Sequence, residues 1–469
     1  MDDSLAFAPI TELATLIRRR ELSPIELTDL YLERIEQYDS ALNAYIAPTA
    51  ERARAQARAA EAQIASGTYL GPLHGIPLAF KDLVDVAGLP TTGGSILLGD
   101  QPATTDATVA RRLFAAGAVL LGKTHMVEFA FGGTGVNHHF GTPVNPWDPE
   151  IHRLPGGSSS GSGLAPAALG SDTGGSVRIP SSFCGLVGLK PTFGLLPNTG
   201  VLPLDPTLDS IGPLCRTAED CALLYQAMVG PDPAAPETYG QVCHSIMDEL
   251  EGEVAGMRLC FPREYFWVDV DAEVEAAVRA SAQVFAGLNV HVDEISLEVL
   301  DDLVAWRRGV NTTAVEAYRY HRENLENHFD RFDPIVSERM LDGRETLASD
   351  FLQQIDSRTA LRRKALTALE NVDFLITPTT PFAAPVLEEI DRDGVYFPVN
   401  ALCLRNTIAV NALDLCAVSL PCGFTHDGLP IGLQLIGHPH DEARLLRLAR
   451  AFEQATDFHR QTPDLEAFI

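Results

Sequence analysis

The sequence predicts an α/β fold on three observations: helical periodicity at the N-terminus, a central stretch of short apolar runs cut by glycine-rich turns, and sheet-like segments that return after a helical interval. At the N-terminus Leu13, Leu16 and Ile17 recur at helical spacing, and the stripe resumes at Leu27, Leu30, Tyr31 and Ile35. Ser23 as N-cap, Pro24 at the first helical position and Glu26 three residues on predict a capping box that starts the second helix. From Gly71 to about Pro213 the runs Ile76 to Phe80 and Ala118 to Leu121 have the length and composition of buried strands. A helix-rich stretch follows from about Asp271 to Asn371, with Val274, Val278, Phe285 and Leu288 on one face. Strand-like segments then come back at Phe374 to Ile376, Ala417 to Leu420 and Ile431 to Ile436. A length of 469 residues allows one large domain or two. The return of strands makes the helical stretch an excursion from one domain, with no internal repeat or linker in sight.

Composition sets the broad class. Apolar residues make up 46% of the chain and charged ones 21%, which is globular usage and argues against disorder as the main state. Against 35 Lys and Arg stand 63 Asp and Glu, a formal charge of −28, so the surface field repels phosphate backbones and anionic membranes. Direct nucleic-acid or membrane binding is therefore not expected. Eight cysteines lie scattered without a C-x-x-C pair or zinc spacing and read as reduced, mostly buried thiols. No apolar run reaches membrane-spanning length, and the start Met1-Asp2-Asp3 lacks the basic region of a secretory signal, so the expected location is cytoplasmic.

Chemistry concentrates in two glycine and serine clusters, Pro155 to Gly163 and Gly170 to Ser176. A flexible linker is the alternative meaning, but a linker would not lie between strand-like runs and lead at once into Val177-Arg178-Ile179-Pro180. Glycines beside a serine let successive backbone N–H groups converge on a small anion, which acyl transfer needs as charge develops on the substrate oxygen. Thr173-Gly174-Gly175-Ser176 offers both donors and a nucleophile. A serine hydroxyl also needs a base. None of the thirteen histidines sits in a hydrolase context, and no G-x-S-x-G elbow surrounds Ser176. Lys81, at the end of the Ile76 to Phe80 run and next to Asp82, is a better candidate, although on spacing alone an ordinary salt-bridged lysine is the commoner meaning. Gly117 to Thr124 satisfies the P-loop pattern, yet Ala118 to Leu121 between its glycines has the character of a strand rather than an open turn, which argues against nucleotide binding.

The segments His74 to Asp82, Gly156 to Ser162 and Gly170 to Pro180, in that order, resemble the amidase signature family. Gly122-Lys123-Thr124, Glu128 to Gly132, Asn145-Pro146-Trp147, Gly188 to Thr192, Asp209 to Pro213 and Gly428 to Gln434 extend the resemblance over nearly the whole chain. It implies a single amidase domain over 1–469, a central mixed sheet flanked by helices on both faces. Residues 1–66 would be N-terminal helices, 67–230 the signature core, and 265–370 a variable helical excursion within that domain. It also implies a serine hydrolase with no metal or organic cofactor, in which Ser176 is the nucleophile, Lys81 the general base, and Ser158, after a cis peptide bond, the bridge between them. Lys81 must then be neutral to accept a proton, and burial beneath the serine loop is the natural cause. The resemblance makes the backbone amides of Thr173, Gly174, Gly175 and Ser176 the oxyanion hole. It places Gly132 and Gly133 at the substrate and gives Asp172, Arg178 and Ser159 supporting roles.

Two departures stand out. Ser158 and Ser176 are 18 positions apart, about six fewer than the family pattern, which removes roughly 9 Å of helix and forces that helix to be re-packed or largely absent. Pro166 further discourages helix there. Asp414 and Cys416 stand where the family tends to carry glycine and proline. The expected activity is hydrolysis of a small carboxamide to carboxylate and ammonia through an acyl-Ser176. The alternatives are a glutaminase subunit of a tRNA-dependent amidotransferase, working with a partner subunit, and a non-catalytic protein disabled by the shortened segment. The pocket wall is expected between Trp306 and Tyr320 and near Thr134, whereas substrate identity and homo-oligomer formation are left open.

Overall fold

The computed structural model describes residues 3–241 and 245–468. Eleven strands form one sheet: β1 (Tyr45–Pro48), β2 (Pro77–Lys81), β3 (Val119–Thr124), β4 (Ala168–Asp172), β5 (Val187–Lys190), β6 (Ser210–Cys215), β7 (Arg258–Pro262), β8 (His291–Ile295), β9 (Phe374–Pro378), β10 (Cys416–Phe424) and β11 (Pro430–Gly437). Their order is β1-β3-β2-β4-β6-β5-β10-β11-β9-β7-β8. Pairs β2/β3, β2/β4, β7/β8 and β7/β9 are parallel and the others antiparallel, so the sheet is mixed, as the resemblance implied. Strand β10 shows why helices must cover both faces. Its alternate side chains Val418 and Leu420 join one buried cluster, and Ala417 joins another.

The N-terminal helices form as expected, but the stretch 1–66 also contributes strand β1, which pairs with β3. Ile10–Arg18 and Pro24–Leu42 are helices, and Ser23 Oγ accepts from the Ile25 and Glu26 N–H groups while Glu26 returns a bond to Ser23 N–H. The expected strands at 76–80, 118–121, 374–376, 417–420 and 431–436 correspond to β2, β3, β9, β10 and β11. The helical interval from Asp271 to Asn371 needs one correction, since it contains β8 at the sheet edge. The exposed, polar His291-Val-Asp-Glu-Ile carries no apolar run to announce it.

The shortened segment keeps a single 3-10 turn, Gly161–Gly163, before β4. Strand β4 is built from Ala-Leu-Gly-Ser-Asp and is buried throughout, although its composition reads as a loop. It pairs in parallel with β2, Phe80 opposite Leu169, which sets the end of β2 beside Gly170 and Ser171. The P-loop-like run is strand, and Lys123 at its end bonds Asp82 Oδ1 at 2.8 Å. Seven cysteines are buried and unpaired, while Cys243 lies outside the described residues. No helix among the described residues is long and apolar enough to cross a membrane.

Candidate active site

Lys81 ends β2 and Lys123 is the last residue but one of the adjacent β3, and their surroundings differ. Lys123 has its carboxylate partner in Asp82. Lys81 is fully buried and has none at ion-pair distance among the described residues; its Nζ donates to Ser158 Oγ at 2.7 Å and to Ser171 Oγ at 2.8 Å. The ordinary salt-bridged lysine is thereby excluded. Burial pushes the Lys81 amine down to about 7, against the pull of Asp209 and Asp172. Asp209 is itself pushed up to about 7 by burial and by Asp205, which weakens its hold on the ammonium.

Ser158 follows a cis peptide bond with Gly157. Ser176 lies between β4 and the helix Arg178–Cys184, on the floor of a cavity of about 750 Å³ that Thr173, Gly174 and Gly132 also line. The bond from Ser158 to Ser176 that the proton relay needs is not formed, and the Ser176 hydroxyl has no hydrogen-bond partner among the described residues. Catalytic hydrogen bonds are often long without substrate and close in the complex. The N–H groups of Thr173, Gly174, Gly175 and Ser176 likewise lack an acceptor among the described residues. Four free donors in a row beside a cavity can stabilise an oxyanion.

What holds this loop is a buried polar network. Arg178 Nη2 and Nε grip Asp172 Oδ1 and Oδ2 at 2.8 and 3.0 Å, and Asp172 Oδ2 accepts the Val177 N–H at 3.2 Å. Burial pushes the Asp172 carboxyl up, but the Arg178 guanidinium and Asn411 outweigh it and hold the group at about 2. Arg178 also donates to Gln434 Oε1 at 2.7 Å and Asn411 Oδ1 at 2.6 Å. Ser159 Oγ accepts the Ser171 N–H at 3.3 Å and so positions the second partner of Lys81. Gly175 has φ +139°, and a Cβ there would lie 2.1 Å from Thr407 Oγ1. Gly175→Ala is expected to cost more than about 1 kcal/mol of stability, read from urea unfolding, with a loss of activity because the donor loop must move.

Gly133, expected at the substrate, is not among the residues that line the cavity. Its N–H donates to Asn400 Oδ1 at 2.8 Å and its carbonyl accepts from Gly157 at 2.8 Å, so it braces the serine loop from outside the cavity lining. Residues between Trp306 and Thr313 supply cavity wall, and so do Phe131 and Gly132 of the turn near Thr134, whereas Tyr320 and Thr134 themselves do not line it. Opposite them stand Glu338, Arg339 and Asp342 from Pro334–Leu341 and the residue after it. Arg339 donates to the Phe131 carbonyl and lies 3.9 Å from the Phe131 ring centroid. No histidine lines this cavity among the described residues. His138 is engaged by Asp333 and Asp391 at 2.8 and 2.9 Å. No cluster of three or more metal-ligating side chains occurs among the described residues.

A family profile described as Amidase matches residues 26–446. The chain belongs to the amidase family. It is an amide-hydrolysing enzyme. It is 40% identical to a glutamyl-tRNA(Gln) amidotransferase subunit from Moorella thermoacetica, over 97% of this chain and 98% of that one. Among solved structures, it is 33% identical, with TM-score 0.88, to a chain of the vestigial protein complex that reveals the origins of an s-triazine catabolic enzyme, covering 95% of this chain and 98% of the other. It is 27% identical, also at TM-score 0.88, to 6-aminohexanoate cyclic dimer hydrolase bound to substrate, covering 98% and 99%.

Within this amidase the sequence reading missed two sets of residues. Ser171 stood inside a quoted motif without a role. Asn400, Thr407 and Asn411 come from the distant helix Tyr396–Leu413, where Thr407 Oγ1 donates to the Gly174 carbonyl at 2.6 Å. The signal for them is polar residues spaced seven and four apart in an apolar helix, which mark one face turned to a polar partner. Ser171→Ala is expected to lower kcat/KM about tenfold. It should also move the acidic limb of its pH profile to lower pH, since an ammonium loses more than an amine when an acceptor is removed.

Proposed function

We propose that this amidase cleaves a small carboxamide to a carboxylate and ammonia through an acyl-Ser176 intermediate. Ser176 Oγ attacks the carbonyl carbon while its proton passes through Ser158 to neutral Lys81. The oxyanion is taken up by the free N–H groups of the loop Thr173 to Ser176. Collapse breaks the C–N bond, and the proton returns from Lys81 through Ser158 to the departing nitrogen. A water molecule then attacks the ester, loses its proton along the same path, and Ser176 is restored with release of the acid. The observation that carries this reading is the buried Lys81 amine, bonded to serine hydroxyls at 2.7 and 2.8 Å with no carboxylate at ion-pair distance among the described residues.

A second reading, the glutaminase subunit of a tRNA-dependent amidotransferase, is favoured by the 40% identity to the Moorella protein. It is also favoured by a cavity wall with both arginines, Arg307 and Arg339, and acids, Glu338 and Asp342, which suits an amide carrying charges of both signs. Measuring ammonia release by the isolated chain over aliphatic, aromatic and dicarboxylic amides separates the two. Turnover of simple amides without a partner supports the first reading. Release from glutamine that appears only when a partner subunit is added supports the second and removes the first.

A further inference from the structure

Behind the nucleophile loop lies a second cavity, of about 230 Å³, whose wall carries three cationic side chains, Lys190, Arg358 and Arg362, against one carboxylate, Asp414. That excess of positive charge occurs in a chain whose formal charge is −28. Arg362 is paired with Asp414. The other two cations form no ion pair among the described residues. Arg358 is 8% exposed, and its Nη1 and Nη2 donate to Thr207 Oγ1 at 3.1 Å and the Thr207 carbonyl at 3.3 Å. Lys190 is 1% exposed and donates to the Pro191 and Leu415 carbonyls at 2.7 and 3.0 Å. Neither has a carboxylate at ion-pair distance among the described residues.

A lysine in that position can shed its proton, and burial does push Lys190 down. An arginine cannot. Arg358 is thus a buried guanidinium whose hydrogen bonds all go to neutral acceptors; burial and Arg362 disfavour its charge, and Asp205 and Asp414 favour it from beyond ion-pair distance. The nearest acid behind it, Asp205, has its oxygens occupied by the Thr207 N–H and hydroxyl and by Thr313 Oγ1. The cavity also touches the catalytic framework. Asn411 lines it and donates to Asp172 Oδ1 at 2.9 Å, and Leu208 lines both this cavity and the one above Ser176.

We propose that this cavity binds a small tetrahedral oxyanion of phosphate size between Arg358 and Arg362, completing the charge balance on the far side of the Asp172–Arg178 pair. The two guanidiniums supply the forked donors such an anion takes. Asp414 competes with the anion for Arg362.

Titrating the full-length protein with inorganic phosphate, by calorimetry and by thermal unfolding at constant ionic strength with chloride as control, tests the site. Phosphate should raise Tm in a saturable way that chloride does not reproduce. Arg358→Gln should weaken phosphate binding by at least about tenfold. Asp414→Asn, which removes the competing carboxylate, should tighten it. Equal responses to phosphate and chloride, or an affinity that neither substitution changes, would overturn the proposal. Should Arg358→Gln fail to fold, the wild-type comparison and Asp414→Asn still decide it.

Discussion

Ser176→Ala is expected to abolish turnover, with kcat lower by at least about 10⁴-fold, while the protein unfolds at the wild-type temperature. Both halves follow from geometry. The hydroxyl makes no hydrogen bond to the scaffold among the described residues, so its loss leaves no buried partner unsatisfied and opens no new cavity in the core. The acyl intermediate, however, forms on that oxygen, and Ser176 is the only serine that lines the cavity among the described residues. A fluorophosphonate or sulfonyl fluoride probe checks the assignment independently: the folded wild type should be labelled at Ser176 and the alanine variant not at all. Labelling that persists in the variant would mean that another nucleophile serves the cavity.

Lys81→Met should produce a comparable loss, about 10³-fold or more in kcat/KM, with little change in stability. A methionine removes a buried amine and keeps most of its volume but leaves the Ser158 and Ser171 hydroxyls without their Lys81 partner, so the two effects offset and Tm should hold. The pH dependence has a fixed sign. Burial lowers the Lys81 amine from 10.5 to about 7, so activity that needs the neutral form rises as pH increases through about 7. Between about 7 and 10.5 the unfolded chain holds the Lys81 proton and the folded chain does not. Stability attributable to this residue therefore increases with pH across that window, and Lys81→Met should flatten that part of the curve.

The sequence made these residues legible to unequal degrees, and the reasons are physical. Ser23-Pro24-Glu26 announced a helix start because its capping bonds fall within one turn. Lys81, Ser158 and Ser176 could be nominated because their segments carry a family pattern, but spacing alone could not distinguish Lys81 from Lys123. The difference is a carboxylate at 2.8 Å from Lys123 and, among the described residues, none at ion-pair distance from Lys81, a fact of strand pairing. Ser171 was hidden for the same reason: its bond to Lys81 spans 90 positions and exists because β2 and β4 lie side by side. Asn411 reaches Asp172 across 239 positions. The loss of helix after Ser158 was predictable from the interval, since removing about six residues breaks the helical phase. Whether the two serines still met was not, and the structure leaves that last contact unmade.

Asp209 and Glu128, also pushed to about 7 by burial, would titrate alongside Lys81 in any activity profile. Direct observation of the Lys81 amine by nitrogen NMR on protein labelled at lysine, assigned through the missing signal of Lys81→Met, removes that ambiguity. A side-chain nitrogen that passes from charged to neutral with a midpoint near 7 is the predicted result. An amine still charged at about pH 9 would contradict the account, because a cation cannot take the proton of Ser176.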